Sequence, residues 1–78
     1  MHRVHLSREF RRYFSATVGE FLRRRRIEHA CHLLSDTNTP LSQIAMTCGF
    51  SDQSHFSATF RRQVGLTPAK FRQMTQNL

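Results

Sequence analysis

Residues 41–63, LSQIAMTCGFSDQSHFSATFRRQ, decide the fold. Apolar side chains such as Ile44 and Ala45 recur at helical spacing and predict a short amphipathic helix. Gly49 follows, and glycine adopts turn conformations that other residues reach only at a cost in free energy. A second amphipathic helix, with an aromatic face, is predicted over 52–63. A short helix, a glycine turn and a second helix together make a helix-turn-helix.

Part of this segment occurs a second time, 50 residues earlier in the chain. His5 aligns with His55 and Phe10 with Phe60, and the shared pattern is H-[LF]-S-x-x-F-R-R-x-[FV]-x-x-T-x-x-x-F. Gap-free identities at one constant offset indicate an internal repeat rather than a chance likeness between two basic helices. The short helix and turn that precede the second copy have no counterpart before the first. We therefore expect a fragment of a longer protein, with an incomplete first unit.

The rest of the chain also has helical patterns, so the predicted fold class is all-α, with five helices. The first helix is predicted over 3–14. The second begins at Thr17, which forms a capping-box pattern with Glu20, and it ends near Ser35. Its roughly 18 residues make a rod of about 27 Å, which is of the same order as the ~34 Å between successive major grooves.

The ends of the remaining helices are predicted from capping residues. Thr-Pro pairs at 39–40 and 67–68 are each expected to start a helix, with threonine as the N-cap and proline as the first helical residue. Ser51 is expected to cap the helix over 52–63, where Asp52 suits the positive end of the helix dipole. Gly65 is expected to end that helix.

The charge of the chain indicates a polyanionic partner. The 78 residues include 12 Lys and Arg but only 5 Asp and Glu, which gives a net charge of +7. Nucleic acid is the first expectation and an anionic membrane surface the second. Two alternatives to DNA binding stay open: a small basic helical RNA-binding protein, and a basic amphipathic membrane-surface module. Both need exposed aromatic side chains, which this small chain requires for its core.

Other classes of protein find little support in the sequence. Two cysteines without CxxC spacing do not make a disulfide scaffold, and no apolar run is long enough to cross a membrane. His29 and His32 flank Cys31, but no further ligand pair at a metal-site spacing accompanies them, so neither a metal nor another cofactor is expected. No acidic residue is placed to orient a histidine beside a serine nucleophile, and an enzyme is not predicted.

Four consecutive arginines occupy residues 23–26. Consecutive helical residues point in different directions, so these side chains do not form one patch. We predict a solvated or structural role for them, with Arg26 as the best candidate for an ion pair to Glu20 or Glu28.

On a helical wheel, each copy of the repeat has an aromatic back and a front that is compact and polar or basic. The front of the second copy is Ser54, Ala58 and Arg61, flanked by Ser57 and Arg62, and the front of the first copy is Val4, Arg8 and Arg11, flanked by Ser7 and Arg12. Such a front can enter a major groove, where side chains meet base edges.

A signature pattern combines Ile44-Ala45-Met46-Thr47-Cys48-Gly49-Phe50 with Ser54, Phe56, Phe60-Arg61, Gly65, Pro68 and Phe71-Arg72. This pattern resembles the second helix-turn-helix of the AraC/XylS family of bacterial transcription regulators. Upstream, His5-Leu6-Ser7-Arg8 with Phe10 is similar to the end of the family's first helix-turn-helix, and Phe21-Leu22, Arg26-Ile27, Ala30 and Leu33-Leu34 are similar to its linker helix. The resemblance implies a C-terminal DNA-binding domain with two homeodomain-like subdomains, here truncated at the N-terminus. It divides the chain into a recognition-helix remnant over 1–16, a linker helix over 17–36 and a complete second helix-turn-helix over 37–78.

The resemblance also implies roles for single residues, carried over by position. The implied base-reading residues are Val4, Ser7, Arg8, Gln53, Ser54 and Ala58, and Ser57 is implied to approach phosphate. Arg8 is the best candidate for a bidentate contact to guanine. Five further side chains on these helices are predicted to contact phosphate, which positions a protein without reading sequence: Arg3, Arg11, His55, Arg61 and Arg62.

The function predicted from these features is sequence-specific binding of double-stranded DNA by a bacterial transcription regulator, with two helices in adjacent major grooves. The expected location is the cytoplasm, at the nucleoid. RNA polymerase is an expected partner of the full-length protein, and no membrane contact is expected. Any dimerisation is expected to use a region missing from this chain.

Overall fold

The computed structural model describes residues 17–77. They form four α-helices, which are α1 (Val18–Asp36), α2 (Leu41–Thr47), α3 (Gln53–Val64) and α4 (Pro68–Gln76). The described part is all-α, which confirms the predicted fold class. The helix predicted over 3–14 lies outside the described residues.

Both ends of α1 are capped by a threonine, Thr17 at the start and Thr37 at the end. The Thr17 hydroxyl accepts a hydrogen bond from the Glu20 amide at 3.0 Å, and the Glu20 carboxylate accepts one from the Thr17 amide at 2.8 Å. This reciprocal pair confirms the predicted capping box. At the other end, the Thr37 amide and hydroxyl both donate to the Leu33 carbonyl, at 3.1 and 2.6 Å. The 19 residues between these caps make a rod of about 28 Å.

The start of α2 differs from the prediction. Pro40 occupies the N-cap position, and no side chain caps the helix. Thr39 was expected in this role, but it stands two residues before the first helical residue, too early for its oxygen to reach the free amides. The Thr39 amide donates instead to the Thr37 hydroxyl at 3.2 Å. Thr39 therefore belongs to the turn between α1 and α2.

The start of α3 also corrects a prediction. Asp52, and not Ser51, is the N-cap, and its carboxylate accepts a hydrogen bond from the His55 amide at 2.7 Å. A capping oxygen must stand two or three residues before the amide that it accepts from, and Asp52 meets that spacing for His55. Its negative charge also suits the positive end of the helix dipole. Asp52 thus provides both the side-chain acceptor and the negative charge at the start of α3.

The two turns around α3 are as predicted. Gly49 has φ 91° and Gly65 has φ 92°, in the left-handed region that favours glycine. The Gly65 amide donates to the Arg61 carbonyl at 2.8 Å and ends α3. Thr67 then caps α4 by accepting from the Lys70 amide at 3.2 Å, and Pro68 is its first residue.

An apolar cluster lies where α1 packs against the other three helices. Its buried members are Ile27, Ala30, Leu34, Ile44, Ala45, Cys48, Phe50, Phe56 and Phe60. Aromatic rings form a continuous chain through it, with centroid distances of 5.3 Å for Phe50–Phe56, 5.8 Å for Phe56–Phe60 and 5.4 Å for Phe60–Phe71. These contacts between rings hold the aromatic side of α3 against the core, so the opposite side of α3 faces solvent.

Two side chains of α4 hold the end of α1. The Arg72 guanidinium donates to the Leu34 carbonyl at 3.2 Å and to the Thr37 carbonyl at 3.1 Å. The Gln76 amide nitrogen donates to the same two carbonyls, at 3.0 and 2.8 Å. The last turn of α1 contains no basic residue of its own. Arg72 supplies the positive charge that the negative end of that helix dipole favours.

Candidate nucleic-acid interface

The outward face of α3 carries the predicted contact residues of the second copy of the repeat. Six of them are exposed, and these are Gln53, Ser54, His55, Ala58, Arg61 and Arg62. Ser57, the seventh, is half-buried. On the other side of the helix, Phe56 and Phe60 are fully buried and Thr59 is 2% exposed. The structure therefore leaves these seven residues wholly or partly accessible to solvent, and together we call them the α3 front.

The α3 front is compact in the middle and cationic at one end. Ser54, Ala58 and Arg61 follow one another at i, i+4 and i+7, so they form one stripe along the helix. Seven residue steps span about 10 Å. The whole of α3, from Gln53 to Val64, contains no aspartate or glutamate. A polyanion can approach this stripe without meeting bulky or acidic side chains from the helix itself.

The N-terminal end of the α3 front is held by two contacts to residues around it. Asp52 fixes the His55 backbone, as described above, and the His55 ring lies edge-on to the Phe50 ring at a centroid distance of 5.5 Å. Because Phe50 is buried, this contact ties an exposed imidazole to the core. Gln53 is the first helical residue and is exposed beside them. The sequence did not predict the contact between Phe50 and His55.

The contact residues predicted in the first copy of the repeat lie outside the described residues. They are Val4, Ser7 and Arg8 for base reading, and Arg3 and Arg11 for phosphate.

The four consecutive arginines do not act as predicted in every case. Arg25, and not Arg26, forms the ion pair with Glu28, with 3.5 Å between the guanidinium nitrogen and the carboxylate oxygen. Both side chains of this pair are 65% exposed, so it contributes little to stability. Arg26 lies instead over the Gly49 turn, where its Nε would be 3.1 Å from a Cβ atom built on that glycine. Arg26 thus has a structural neighbour, but that neighbour is backbone rather than an acid.

The cysteines have the character of packing residues. Cys48 is 4% exposed, and burial raises the pKa of its thiol, with a smaller contribution from Cys31. Burial also raises the pKa of Cys31, and the nearby Glu28 carboxylate adds to this effect. Both thiols therefore stay protonated and poorly nucleophilic at neutral pH. Within residues 17–77, no three histidine, cysteine or acidic side chains are grouped closely enough to hold a metal ion.

None of the helices in this part of the chain has the length and apolar character needed to cross a bilayer.

Comparison with known proteins gives concordant results. A family model described as a helix-turn-helix domain matches residues 1–74. The transcriptional activator RhaR of Enterobacter sp. (strain 638) is 45% identical over 67 residues, which are 86% of this chain and 24% of that protein. RhaR of Klebsiella pneumoniae is 39% identical over 71 residues, which are 91% of this chain and 25% of that protein. The chain thus spans about a quarter of the length of these relatives.

Solved structures share the fold. A transcriptional regulator from Chromobacterium violaceum, described as having an AraC-type DNA-binding domain, superposes with a TM-score of 0.93 at 32% identity, covering 96% of this chain and 67% of that one. The DNA-binding domain of AdpA, solved in complex with a target DNA, superposes with a TM-score of 0.88 at 28% identity, covering 99% of this chain and 69% of that one.

Proposed function

The chain belongs to the AraC family of helix-turn-helix DNA-binding transcription regulators, and from this premise we propose that it binds double-stranded DNA sequence-specifically, with α3 lying in a major groove. The observation that carries the proposal is the α3 front. A helix can enter the roughly 12 Å wide major groove and bring side chains to base edges. The buried aromatic side of α3 leaves a compact polar stripe as the surface that would enter. The AdpA domain, which shares this fold, was solved in complex with a target DNA, and this supports DNA binding.

Within the α3 front, we assign base contacts to Gln53, Ser54 and Ala58. Gln53 stands at the N-terminal end of the helix, and a glutamine amide can pair with the N6 and N7 atoms of adenine. Ala58 offers a methyl group, which suits contact with the methyl group of thymine. Ser54 lies between them on the exposed stripe, and its hydroxyl can donate or accept.

We assign phosphate contacts to the remaining members of the α3 front, which are His55, Ser57, Arg61 and Arg62. Arginine presents a planar fork of donors that matches phosphate oxygens. Arg61 and Arg62 stand in the last turn of α3, at the end away from Gln53. His55 and Ser57 lie nearer the start of the helix, so contacts to the DNA backbone would hold α3 along most of its length.

The same roles are proposed for the first copy of the repeat, on the strength of the sequence repeat alone. Val4, Ser7 and Arg8 would read bases in an adjacent major groove, and Arg3 and Arg11 would contact phosphate. The 19-residue α1 between the two copies, about 28 Å long, is of the order of the ~34 Å that separates successive major grooves on one face of DNA.

A matched pair of variants tests the division of roles within α3. Gln53→Ala is expected to reduce discrimination at one base position by about 1–3 kcal/mol, because a base contact is lost. Arg61→Ala is expected to weaken binding to all duplexes alike, because it removes a phosphate contact. Affinities for a duplex chosen from a random pool, and for its single-position variants, measure both effects. If the two variants lose affinity equally on every duplex, the proposed division of roles is wrong.

Competition experiments separate this function from its two alternatives. Binding of single-stranded RNA by stacking, or insertion into a membrane surface, needs exposed aromatic rings. In the described part of the chain, Phe50, Phe56 and Phe60 are buried and Phe71 is half-buried against them. Duplex DNA should therefore displace single-stranded RNA from the chain, and anionic liposomes should compete poorly with the duplex.

Regulation of transcription is the wider part of the proposal and concerns a regulator as a whole. The relatives of this chain include transcriptional activators about four times as long as the matched segment. We propose that a regulator carrying this domain acts at the bacterial nucleoid and contacts RNA polymerase. Transcription from a promoter bearing the selected site, measured with and without Arg61→Ala in the DNA-binding domain, tests this part.

A further inference from the structure

A second cationic surface lies where α1 meets the turn that leads into α3. It is an open groove of about 480 Å³ between one face of α1 and the α2–α3 turn. The α1 wall consists of Leu22, Arg25, Arg26 and His29, and the opposite wall is the turn at 47–49. The four α1 residues have i, i+3, i+4 and i+7 spacing, so they form one continuous stripe along the helix. We call this surface the α1 groove.

The shape of the α1 groove depends on the close approach of Arg26 to the turn. Gly49 has φ 91°, and a Cβ atom at this position would lie 3.1 Å from Nε and 3.4 Å from Cζ of Arg26. The Arg26 side chain therefore passes close to the turn and occupies the space that a side chain at residue 49 would need. The groove is formed by contact between two elements, and it is more than a row of charges along one helix.

The positive charge in the α1 groove is poorly neutralised by the described part of the protein. Arg25 pairs with Glu28 through a single 3.5 Å contact between two side chains that are each 65% exposed, and such pairs are weak. Within residues 17–77, no carboxylate lies within ion-pair distance of Arg26. Each guanidinium carries five N–H donors. Among residues 17–77, most of the donors of these two arginines therefore have no carboxylate partner and are available to an anion.

The position of the α1 groove favours the DNA backbone as that anion. Gly49 and Gln53 are four residues apart, so their Cα atoms lie within about 14 Å of each other even in a fully extended chain. If Gln53 reads bases, the groove lies within reach of the backbone that borders a major groove about 12 Å wide. Phosphates follow one another every ~3.4 Å of helix axis along each strand. At least one of them would then come near Arg25 and Arg26.

We propose that the α1 groove is a second phosphate-binding site, in which Arg25 and Arg26 hold the DNA backbone next to the major groove that α3 enters. The inference rests on the proposed function, since it assumes that α3 lies in the groove. Arg26 provides a guanidinium next to the turn, and Arg25 provides a second, 65% exposed one. Leu22, which is 45% exposed, gives the apolar side of the groove, a suitable surface for a deoxyribose. The α1 groove adds affinity and fixes orientation without reading sequence.

The first test uses Arg25→Gln in the full 78-residue chain, with Arg24→Gln as the matched control. Both positions are exposed on α1, but Arg24 lies about 160° around the helix from Arg26 and does not line the groove. Each variant removes one positive charge. The dependence of log affinity on log salt concentration should become shallower by about 0.9 for Arg25→Gln, as expected for one lost phosphate contact. Arg24→Gln should leave the slope unchanged.

The second test locates the contact on the DNA. Ethylation of single phosphates should block binding of the original chain at positions next to the site that α3 occupies. In the Arg25→Gln variant, ethylation at one of these flanking positions should no longer reduce DNA binding. Ethylation at the phosphates contacted by α3 should still reduce it. Arg26→Gln is measured in parallel only if its circular dichroism and urea unfolding match the original chain, because Arg26 also supports the turn.

Three outcomes overturn the proposal. Arg25→Gln could keep the original slope and ethylation pattern, Arg24→Gln could change the slope by the same amount, or the position freed by Arg25→Gln could lie within the α3 contacts. Arg61→Gln distinguishes these failures from a failure of the proposed function. If Arg61→Gln lowers the slope and Arg25→Gln does not, DNA binding through α3 stands and the α1 groove is not a phosphate site. If neither variant changes it, the phosphate contact assigned to Arg61 in the proposed function is wrong as well.

Discussion

At the scale of single residues, Gly49 and Gly65 adopt the same backbone conformation but have different neighbours. Their φ angles are 91° and 92°. A Cβ atom at Gly49 would lie 3.1 Å from Arg26 Nε, whereas a Cβ atom at Gly65 would meet nothing within 4 Å. Substitutions at the two glycines therefore separate two free-energy costs. One is the cost of a side chain in the left-handed backbone conformation, and the other is the cost of displacing Arg26.

Alanine substitution at each glycine gives the first prediction. Gly65→Ala should lower the free energy of unfolding by about 1–2 kcal/mol, the usual penalty for a side chain in the left-handed region. Gly49→Ala should lower it by more, because Arg26 must also move away from the turn. Urea unfolding of both variants measures the difference. Equal losses would show that the contact between Arg26 and the turn does not contribute to stability.

Glu20 gives the second prediction, which concerns pH. The pKa of this carboxyl is lowered, chiefly because it accepts a hydrogen bond from the Thr17 backbone and then because of the Thr17 side chain, with smaller effects from Arg23 and Arg24. A carboxylate with a lowered pKa in the folded state stabilises the fold above its ordinary pKa of 4.5, and this contribution is lost as the pH falls through the lowered value.

Glu20→Gln is the matched variant for this effect, because glutamine can also complete a capping box but does not titrate. The urea midpoint of the original chain should fall relative to that of Glu20→Gln as the pH is lowered through and below 4.5. Circular dichroism at 222 nm follows the unfolding. A difference between the two chains that does not vary with pH would mean that the Glu20 charge plays no part in the cap.

At the scale of the helices, the joint between α1 and α4 gives the third prediction. Arg72 donates three hydrogen bonds to the carbonyls at the end of α1, the longest of them at 3.5 Å, and bonds from a charged donor stabilise by about 1.5–3 kcal/mol each. Arg72→Ala should therefore lower the free energy of unfolding by at least about 2 kcal/mol. Arg72→Lys should recover only part of this loss, since an ammonium group cannot reproduce the planar fork.

Lys70→Ala is the control for the Arg72 variants. It removes the same charge from an exposed position on the same helix, and the hydrogen bond at this residue uses the backbone amide, which the substitution keeps. Its free energy of unfolding should stay within about 0.5 kcal/mol of the original. If Lys70→Ala and Arg72→Ala unfold alike, net charge rather than the Arg72 hydrogen bonds accounts for the effect.

The helices show which parts of the fold can be predicted from local sequence patterns. Capping residues and helical spacing predict α1 and α4 closely, because both signals are local and the Thr17–Glu20 and Thr67–Lys70 bonds span three residues each. The same rules chose the wrong cap for α3. Ser51 and Asp52 are both good N-caps, and only the position of the first helical turn decides between them.

These local patterns do not predict contacts between distant parts of the chain. The bond between Arg72 and the Leu34 carbonyl joins residues 38 positions apart, and no local signal marks it. Five of the seven residues of the α3 front could be predicted from a helical wheel, because they lie on one helix: Ser54, Ser57, Ala58, Arg61 and Arg62. The α1 groove could not, since it needs the packing of α1 against the α2–α3 turn, although the spacing of Leu22, Arg25, Arg26 and His29 already places them on one face.

At the scale of the whole molecule, the net charge of +7 is the property that the DNA would sense first. The proposed contacts distribute this charge over the α3 front, the α1 groove and the first copy of the repeat. Each neutralised phosphate releases counterions, and this release dominates the affinity of most proteins for DNA. The dependence of affinity on salt concentration therefore gives the number of phosphate contacts but does not show which residues make them.

The last prediction follows from that count. If about five to seven phosphates are neutralised, log affinity should fall with log salt concentration with a slope of roughly −5 to −6, or about a thousandfold between 50 and 200 mM. Fluorescence anisotropy with a labelled duplex measures the slope. The slope should be similar on a random duplex, because phosphate contacts do not depend on sequence, while the affinity itself should be higher for the selected duplex. A flat response would contradict phosphate-driven binding. A steep response with equal affinity for both duplexes would instead leave the phosphate contacts in place and remove the proposed base contacts of Gln53, Ser54 and Ala58.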